Sequence, residues 1–319
     1  MITNQNQLRL GISACLLGAK VRYDGAHKLD KWIKNTLGQF ATFIPICPEL
    51  ECKMSIPRPP MHLEGTRDNP HLIQTLAKLD LTKQMNSWIK PKIKELKYKN
   101  LDGYILKTRS PSCGLRDIKI FSPTGKLVSK TGTGLFAKAF LKAFPLLPVE
   151  DEDRLQDPKC RENFIERIFV MKRWRELLTH KKSLKALINF HTKHQLLMMS
   201  HSLPHYQKMG KLLASHRPDG LALYQSYQKN MLEALRLPTT TKKHFHVLQH
   251  AIGYFKSDLS SAEKKELLNI LKQYKTDKLP LLVPITLINH YAKKLHKDYL
   301  LEQYYLNPHP KELKIKNHF

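Results

Sequence analysis

The fold is decided by an apolar segment that ends in a cysteine, Leu8–Cys15 (LRLGISAC). Two further segments have the same form: Ala41–Cys47 (ATFIPIC) ends in a cysteine directly, and Gly103–Leu106 (GYIL) leads through a polar turn to Cys113. Short apolar runs bounded by turn residues are typical of buried strands. If the three runs are parallel strands of one sheet, their thiols lie at its carboxyl edge, where open α/β sheets build their sites.

Helical patterns separate these runs and predict an α/β domain with a Rossmann-like parallel sheet. We expect helices around residues 28–37, over residues 70–99 with an interruption at Pro91, and from Leu135 onward. A stretch rich in proline and acidic residues follows, and beyond it the apolar spacing is helical almost throughout.

The sequence therefore predicts two domains of different class. The predicted units are an α/β domain over 1–148, a linker over 149–163 and an all-α domain over 164–319.

The net charge is the strongest indication in the sequence of what kind of partner the protein binds. The chain has 54 Lys and Arg against 27 Asp and Glu, a net charge of +27, and the two halves share this excess almost equally. Because uncompensated charge destabilises a compact protein by self-repulsion, a polyanion such as nucleic acid is the preferred explanation. The alternative is a general lysine bias of the source proteome.

The number of cysteines and the hydropathy pattern predict the cellular compartment. Five thinly spread cysteines argue against a disulfide scaffold. The chain has no long charge-free apolar stretch and no signal-peptide pattern at its amino terminus, so we expect a cytoplasmic protein that does not enter a membrane. No obligate protein partner is indicated.

The three strand-end thiols, Cys15, Cys47 and Cys113, form the first candidate site. Three separated cysteines suit an iron–sulfur cluster with one iron left without a protein ligand. Zinc is an alternative, but structural zinc prefers a fourth ligand and a Cys-x-x-Cys pair. Inert packing is the remaining alternative, and it is the expectation for Cys52 and Cys160, which do not share the strand-end context.

Three polar residues near these thiols are candidates for catalysis. Glu49 follows Cys47 by two residues and could act as a general base for an attacking water. Ser110 and Ser112 precede Cys113 and could hydrogen-bond a substrate or a cluster sulfur. The alternatives are a surface carboxylate and ordinary turn serines.

Four basic residues in the same loops are candidate contacts for phosphate: Arg22, Arg58, Lys107 and Arg109. Arginine binds phosphate through two parallel hydrogen bonds, which favours this interpretation. A solvated basic surface is the alternative.

Three motifs of the first half closely resemble the thiouracil desulfidase (TudS) family. They are Gly11–Gly18 with Val21–Gly25, then Cys47–Glu49, then Ser110–Gly114. The second half is similar to a YbgA-type helical domain, and that likeness rests on the segments His191–Met198, His246–Lys256 and Pro280–Leu287. The two in this order resemble the fused RudS type, and the likeness covers nearly the whole chain.

This resemblance implies a tRNA 4-thiouridine desulfidase. It assigns Cys15, Cys47 and Cys113 to a [4Fe–4S] cluster, gives Glu49 an acid/base role, and implies a catalytic serine at Ser110 or Ser112, with a preference for Ser110. The implied reaction is non-redox: water replaces sulfur on the ring carbon, and sulfide leaves. One departure is the segment Leu50–Met54 (LECKM), where family members often have glycine-rich residues.

Two other functions remain open from the sequence. An enzyme acting on free thiouracil or thionucleosides would use the same site, but it would not explain the charge. A non-catalytic iron–sulfur regulator that binds nucleic acid would explain the charge, but it would leave Glu49 without a task. Histidines are concentrated in the second half, and we expect most of them to be packed or surface residues rather than metal ligands, because no zincin arrangement is present.

Overall fold

A computed structural model describes residues 7–180, 182–215, 220–310 and 313. The chain divides into two compact units, Met1–Phe164 and Ile165–Phe319.

The first unit, in its described part, is built on eight strands. They are β1 (Leu8–Ser13), β2 (Ala41–Ile46), β3 (Met61–Gly65), β4 (Pro70–Gln74), β5 (Gly103–Leu106), β6 (Ile118–Phe121), β7 (Leu127–Gly132) and β8 (Val149–Asp151). One sheet has the order β2-β1-β5-β8, and all its pairings are parallel. Its central strands are buried on both faces, as parallel sheets require. The prediction of a parallel α/β domain is confirmed.

The second sheet was not predicted from the sequence. Its order is β4-β3-β6-β7, with β3 and β6 parallel and the outer pairs antiparallel. The prediction of helix was wrong for Pro70–Gln74, which form β4. Leu72 is buried, whereas Leu76 and Leu79 are 78% and 53% exposed. The helical spacing of these leucines therefore does not correspond to a buried helix face.

Three α-helices complete the described first unit: α1 (Pro48–Glu51), α2 (Thr82–Tyr98) and α3 (Leu135–Ala143). The predicted interruption at Pro91 was wrong, because α2 continues through it and buries Met85, Ile89 and Leu96. Residues 28–37 do not form a regular α-helix; this region instead contains a short π-helix, Trp32–Thr36, followed by a 3₁₀ turn, Leu37–Gln39.

The second unit is helical in all its described elements, which confirms the predicted all-α class. The helices are α4 (Pro158–Thr179), which begins in the first unit, then α5 (Leu184–His201), α6 (Leu203–Ala214), α7 (Gly220–Arg236), α8 (Thr241–Gly253), α9 (Ser261–Lys275), α10 (Leu282–Lys294) and α11 (Asp298–Leu301). Ser183, Ser202, Thr240 and Ser260 cap the amino termini of four of them. The stretch predicted as a linker, 149–163, contains β8 and the first residues of α4. No described helix has the length and apolar content to cross a bilayer.

Candidate active site

Three thiols from three loops line one cavity of about 670 Å³ in the first unit. Cys15 lies just past the end of β1, Cys47 directly follows β2, and Cys113 lies in the loop after β5. Because these strands are parallel neighbours, their carboxyl ends meet at one edge of the sheet. Glu49 and Ser112 line the same cavity.

The loop that carries Ser112 and Cys113 is held by the first turn of α3. The backbone N–H groups of Leu135 and Phe136 donate to the carbonyl oxygens of Pro111 and Ser112 at 3.1 and 3.0 Å. The first N–H groups of a helix have no partner within it, so they are free to bind the loop. A Cβ at Gly134 would lie 2.5 Å from the Ser112 carbonyl oxygen. Glycine is required there because the loop and the helix approach so closely.

Glu49 is the centre of a hydrogen-bonded group. Its Oε1 accepts from the Ser112 hydroxyl at 2.6 Å and from the Ser110 hydroxyl at 3.5 Å, and the two hydroxyls are 2.9 Å apart. Its Oε2 accepts from the guanidinium of Arg58. Ser112 is almost completely buried, so its hydroxyl competes little with water for this carboxylate.

The two serines differ in their further contacts. The Ser110 oxygen also accepts from the backbone N–H groups of Ser112 and Cys113, at 3.3 and 3.1 Å, which stabilises the turn. Ser112 makes the short contact with Glu49. Both are therefore placed to act with the carboxylate, and the geometry gives Ser112 the more direct connection.

Burial changes the acidity of the three thiols. It raises the pKa of Cys15 to about 11, and it also raises the pKa values of Cys47 and Cys113. In the metal-free protein the thiols are therefore protonated at neutral pH. Metals bind cysteine as thiolate, so a metal group entering this cavity would release protons.

The other two cysteines lie apart from the cavity. Cys52 is buried, and its thiol donates to the backbone carbonyl oxygen of Glu49 at 3.3 Å. Cys160 is partly exposed and accepts from the Arg154 guanidinium at 3.0 Å. Neither residue lines the cavity.

The four basic candidates all line the cavity, and Arg109 is by far the most exposed of them. Arg109 is 88% exposed and lies 3.7 Å from Asp153, and Arg22 pairs with an exposed carboxylate. Lys107 binds Glu152, and the side chain of Arg58 is only 4% exposed and binds Glu49. These last two cations are committed to internal partners.

Sequence reasoning missed Glu152, which lines the cavity from the end of β8. It accepts from the ammonium of Lys107 and from the backbone N–H of Thr108, the latter at 2.9 Å. The available signal was the acidic run after the apolar residues 146–149, which resembles the other strand ends. Its proline and acidic residues are equally typical of a domain boundary.

Two histidines of the second-half motif are packed inside the helical unit. The ring of His191 bonds the Tyr227 hydroxyl at 3.1 Å, and the Nδ1–H of His194 donates to the Phe190 carbonyl oxygen at 2.7 Å. Burial lowers the pKa of His191 to about 4 and also lowers the pKa of His194 well below its usual value. His246 and His250 are exposed. These contacts make His191 and His194 structural residues.

Family comparisons agree with the two-unit architecture. Residues 10–152 match the family model described as 2-thiouracil desulfurase, and residues 195–310 match DUF1722, a protein family of unknown function. The first match covers the α/β unit that carries the three thiols, Glu49 and Ser112. The chain belongs to the 2-thiouracil desulfurase family through its first unit, and it carries a DUF1722 region in its second.

Individual relatives cover one half or the other. The uncharacterized protein YbgA of Escherichia coli K12 is 29% identical over 153 residues, 47% of this chain and 90% of YbgA. The uncharacterized protein YbbK of Bacillus subtilis 168 is 32% identical over 136 residues, 41% of this chain and 87% of YbbK. A solved structure of a [4Fe-4S]-dependent thiouracil desulfidase, TudS, matches with 28% identity and a TM-score of 0.37, covering 47% of this chain and 94% of that one.

Proposed function

We propose that this protein is an iron–sulfur-dependent desulfidase that converts 4-thiouridine in tRNA to uridine and releases sulfide. The observation that carries the proposal is the single cavity lined by three strand-end thiols together with Glu49 and Ser112. Membership of the 2-thiouracil desulfurase family supports sulfur removal from a pyrimidine.

The thiols suit a cluster better than a single ion. In the described part of the chain, no group of three or more His, Cys, Asp or Glu side chains could hold one metal ion. A [4Fe–4S] cluster instead binds each thiolate through a different iron, so its ligands stand apart, and Cys15, Cys47 and Cys113 would hold it. The Cys47 thiol lies 3.8 Å from the Val21 carbonyl oxygen, a long contact that leaves the sulfur available as a ligand.

A buried hydroxyl also fits a thiolate-bound group. The Tyr104 hydroxyl has no hydrogen-bond partner within the described chain. Burial raises its pKa, and so does the neighbouring charge of Cys113, followed by other groups of the site. An unpartnered buried hydroxyl is costly, and a charged acceptor such as a thiolate would be a strong hydrogen-bond partner for it.

When bound, the cluster would supply an iron without a protein ligand, a soft Lewis acid suited to the sulfur of a thiocarbonyl. Glu49 would take a proton at Oε1 from the water that attacks the ring carbon. The Ser112 hydroxyl would donate a hydrogen bond to Glu49 Oε1 until the attacking water takes over as the donor. The carbon–oxygen bond forms, the carbon–sulfur bond breaks, and sulfur leaves as hydrogen sulfide without any change of oxidation state.

The tRNA part of the proposal rests on charge. A net charge of +27 gives affinity for a phosphate backbone, and a free base carries no phosphate. Arg22 and Arg109 line the cavity and are the proposed phosphate contacts, and Arg109 is 88% exposed. Because 4-thiouridine is stacked in folded tRNA, the base must flip out to enter a cavity.

The test is a turnover assay with the full chain, loaded with iron and sulfide under anaerobic conditions. Thiolated tRNA is added, and the loss of the 4-thiouridine absorbance is followed together with released sulfide. We expect one sulfide to be released for each 4-thiouridine lost. We also expect Glu49→Gln to retain the cluster absorbance while losing turnover. A fully loaded protein that leaves the chromophore intact would refute the proposal.

A second candidate function is desulfuration of free thiouracil, which the family description favours. The same assay with the free base separates the two. Faster turnover of the free base than of tRNA supports the second candidate, and binding of tRNA without any turnover supports a regulatory protein instead.

A further inference from the structure

Arg58 has four of its five side-chain N–H groups committed to partners inside the protein. Its Nε donates to Glu49 Oε2 at 3.0 Å, and its Nη2 donates to the same oxygen. Nη1 donates to the Ser55 carbonyl oxygen at 3.1 Å, and Nη2 also donates to the Val21 carbonyl oxygen at 3.0 Å. With its side chain 4% exposed, Arg58 has little capacity left for a phosphate.

These contacts make the two oxygens of Glu49 unequal. Oε2 is held by two N–H groups of Arg58, which fix both the position and the rotation of the carboxylate. Among the residues that the structure describes, Oε1 has only hydroxyl partners, the Ser112 hydroxyl at 2.6 Å and the Ser110 hydroxyl at 3.5 Å. A hydroxyl is exchanged for a water more readily than a buried guanidinium, so Oε1 is the oxygen able to accept a proton in the cavity.

Arg58 is also supported by one other loop, the loop after Cys15. Its contact with Val21 ties it to the loop after Cys15, and its own backbone N–H donates to the Tyr23 carbonyl oxygen at 2.9 Å. The guanidinium therefore connects the segment that carries Cys15 to the segment that carries Glu49. A lysine has a single nitrogen and could not bind Glu49, Ser55 and Val21 with this geometry.

We propose that Arg58 is a positioning residue, which selects Oε1 of Glu49 as the proton acceptor and does not contact RNA. This inference rests on the proposed function, since it assigns the partner of its general base. Arg58 thus acts only through Glu49, and its removal has little further effect once Glu49 cannot accept a proton.

The experiment is a double-mutant cycle with the cluster-loaded full chain. Single-turnover rates and KM are measured for Arg58→Met, Glu49→Gln and the variant carrying both, with iron content and the cluster absorption spectrum as readouts besides activity. We expect Arg58→Met to lose about 100-fold in rate with KM within about twofold of wild type, the scale of a general base out of position. We expect the double variant to be no slower than Glu49→Gln, and Arg58→Lys to recover part of the rate.

Arg116→Met is the matched control, because Arg116 also pairs with carboxylates, Glu150 and Asp151, but does not line the cavity. It should keep the wild-type rate. The inference is overturned if Arg58→Met keeps the wild-type rate, or if it changes only the KM for tRNA. It is also overturned if the rate of the double variant is reduced by the product of the two single reductions.

Failure of the proposed function has a different signature, namely that the loaded wild-type protein turns over neither tRNA nor free base. The placement of Glu49 by Arg58 is then tested by measuring the Tm of the metal-free protein for wild type, Arg58→Met, Glu49→Gln and the double variant. Independent shifts of Tm in that cycle overturn it, and a double variant less destabilised than the sum of the single variants supports it.

Discussion

Protonation of His191 should destabilise the helical unit as the pH falls. This side chain is 5% exposed, bonds the Tyr227 hydroxyl at 3.1 Å and stacks on the ring of Tyr206 at 5.6 Å. Its pKa is about 4 in the folded protein against an ordinary value of 6.5. The folded state therefore binds fewer protons than the unfolded state, so stability is complete above pH 6.5 and is lost as the pH falls toward 4.

The size of the effect follows from the two pKa values. Between pH 7.5 and pH 5 the unfolded state gains nearly a full proton at this site and the folded state gains almost none. The free energy of unfolding should fall by about 2 kcal/mol from this residue alone. His194 is fully buried and its pKa is shifted in the same direction, so it adds to the loss.

The assay is urea unfolding of the full chain at both pH values, with hydrogen exchange in α5 to locate the change. Wild type is compared with His191→Phe, which keeps the ring packing, and with His250→Phe as an exposed control. We expect the pH-dependent loss to be about 2 kcal/mol smaller in His191→Phe and unchanged in His250→Phe. Equal pH dependence in His191→Phe and wild type would refute the reasoning.

Three further predictions concern the first unit and the charge. Replacing Cys15, Cys47 or Cys113 by serine should abolish iron binding and the cluster absorbance, whereas Cys160→Ser should bind iron like wild type; iron retained after all three replacements would contradict the ligand assignment. Tyr104→Phe should leave the unfolding free energy of the metal-free protein unchanged or raise it by up to about 3 kcal/mol, because an unpartnered buried hydroxyl is removed. Chemical denaturation measures this, and a clear loss of stability would reveal a partner. Affinity for tRNA should fall steeply with salt, the logarithm of the binding constant losing about 0.7–0.9 per phosphate contact for each tenfold increase, and a flat titration would argue against phosphate binding.

Much of the fold could be predicted because short patterns of apolar and turn residues mark its main strands and helices. The central strands β1 and β5 are mainly apolar runs, because a parallel sheet buries its central strands on both faces, and the edge strand β2 is apolar although it is partly exposed. The second sheet was not predicted because β7 is mostly exposed and has no continuous apolar run, and the alternation in β6 spans only four residues. The break predicted at Pro91 does not occur, because the burial of one face of α2 outweighs the backbone hydrogen bond that proline cannot make.

The residue types and their order were determined by the sequence alone. Three thiols at three strand ends, a carboxylate beside one of them and two serines beside another were visible without coordinates, and so was the basic excess. Such features need only local pattern and composition, together with the rule that parallel strands share a carboxyl edge.

Only the tertiary structure decided which of these groups act on one another. Arg58 and Lys107 have the sequence character of surface cations, yet folding commits them to Glu49 and Glu152. The partners come from separate loops, and the loop paths depend on packing across the whole sheet edge. Charge pattern along the chain does not encode such contacts, because burial and pairing are properties of the folded neighbourhood.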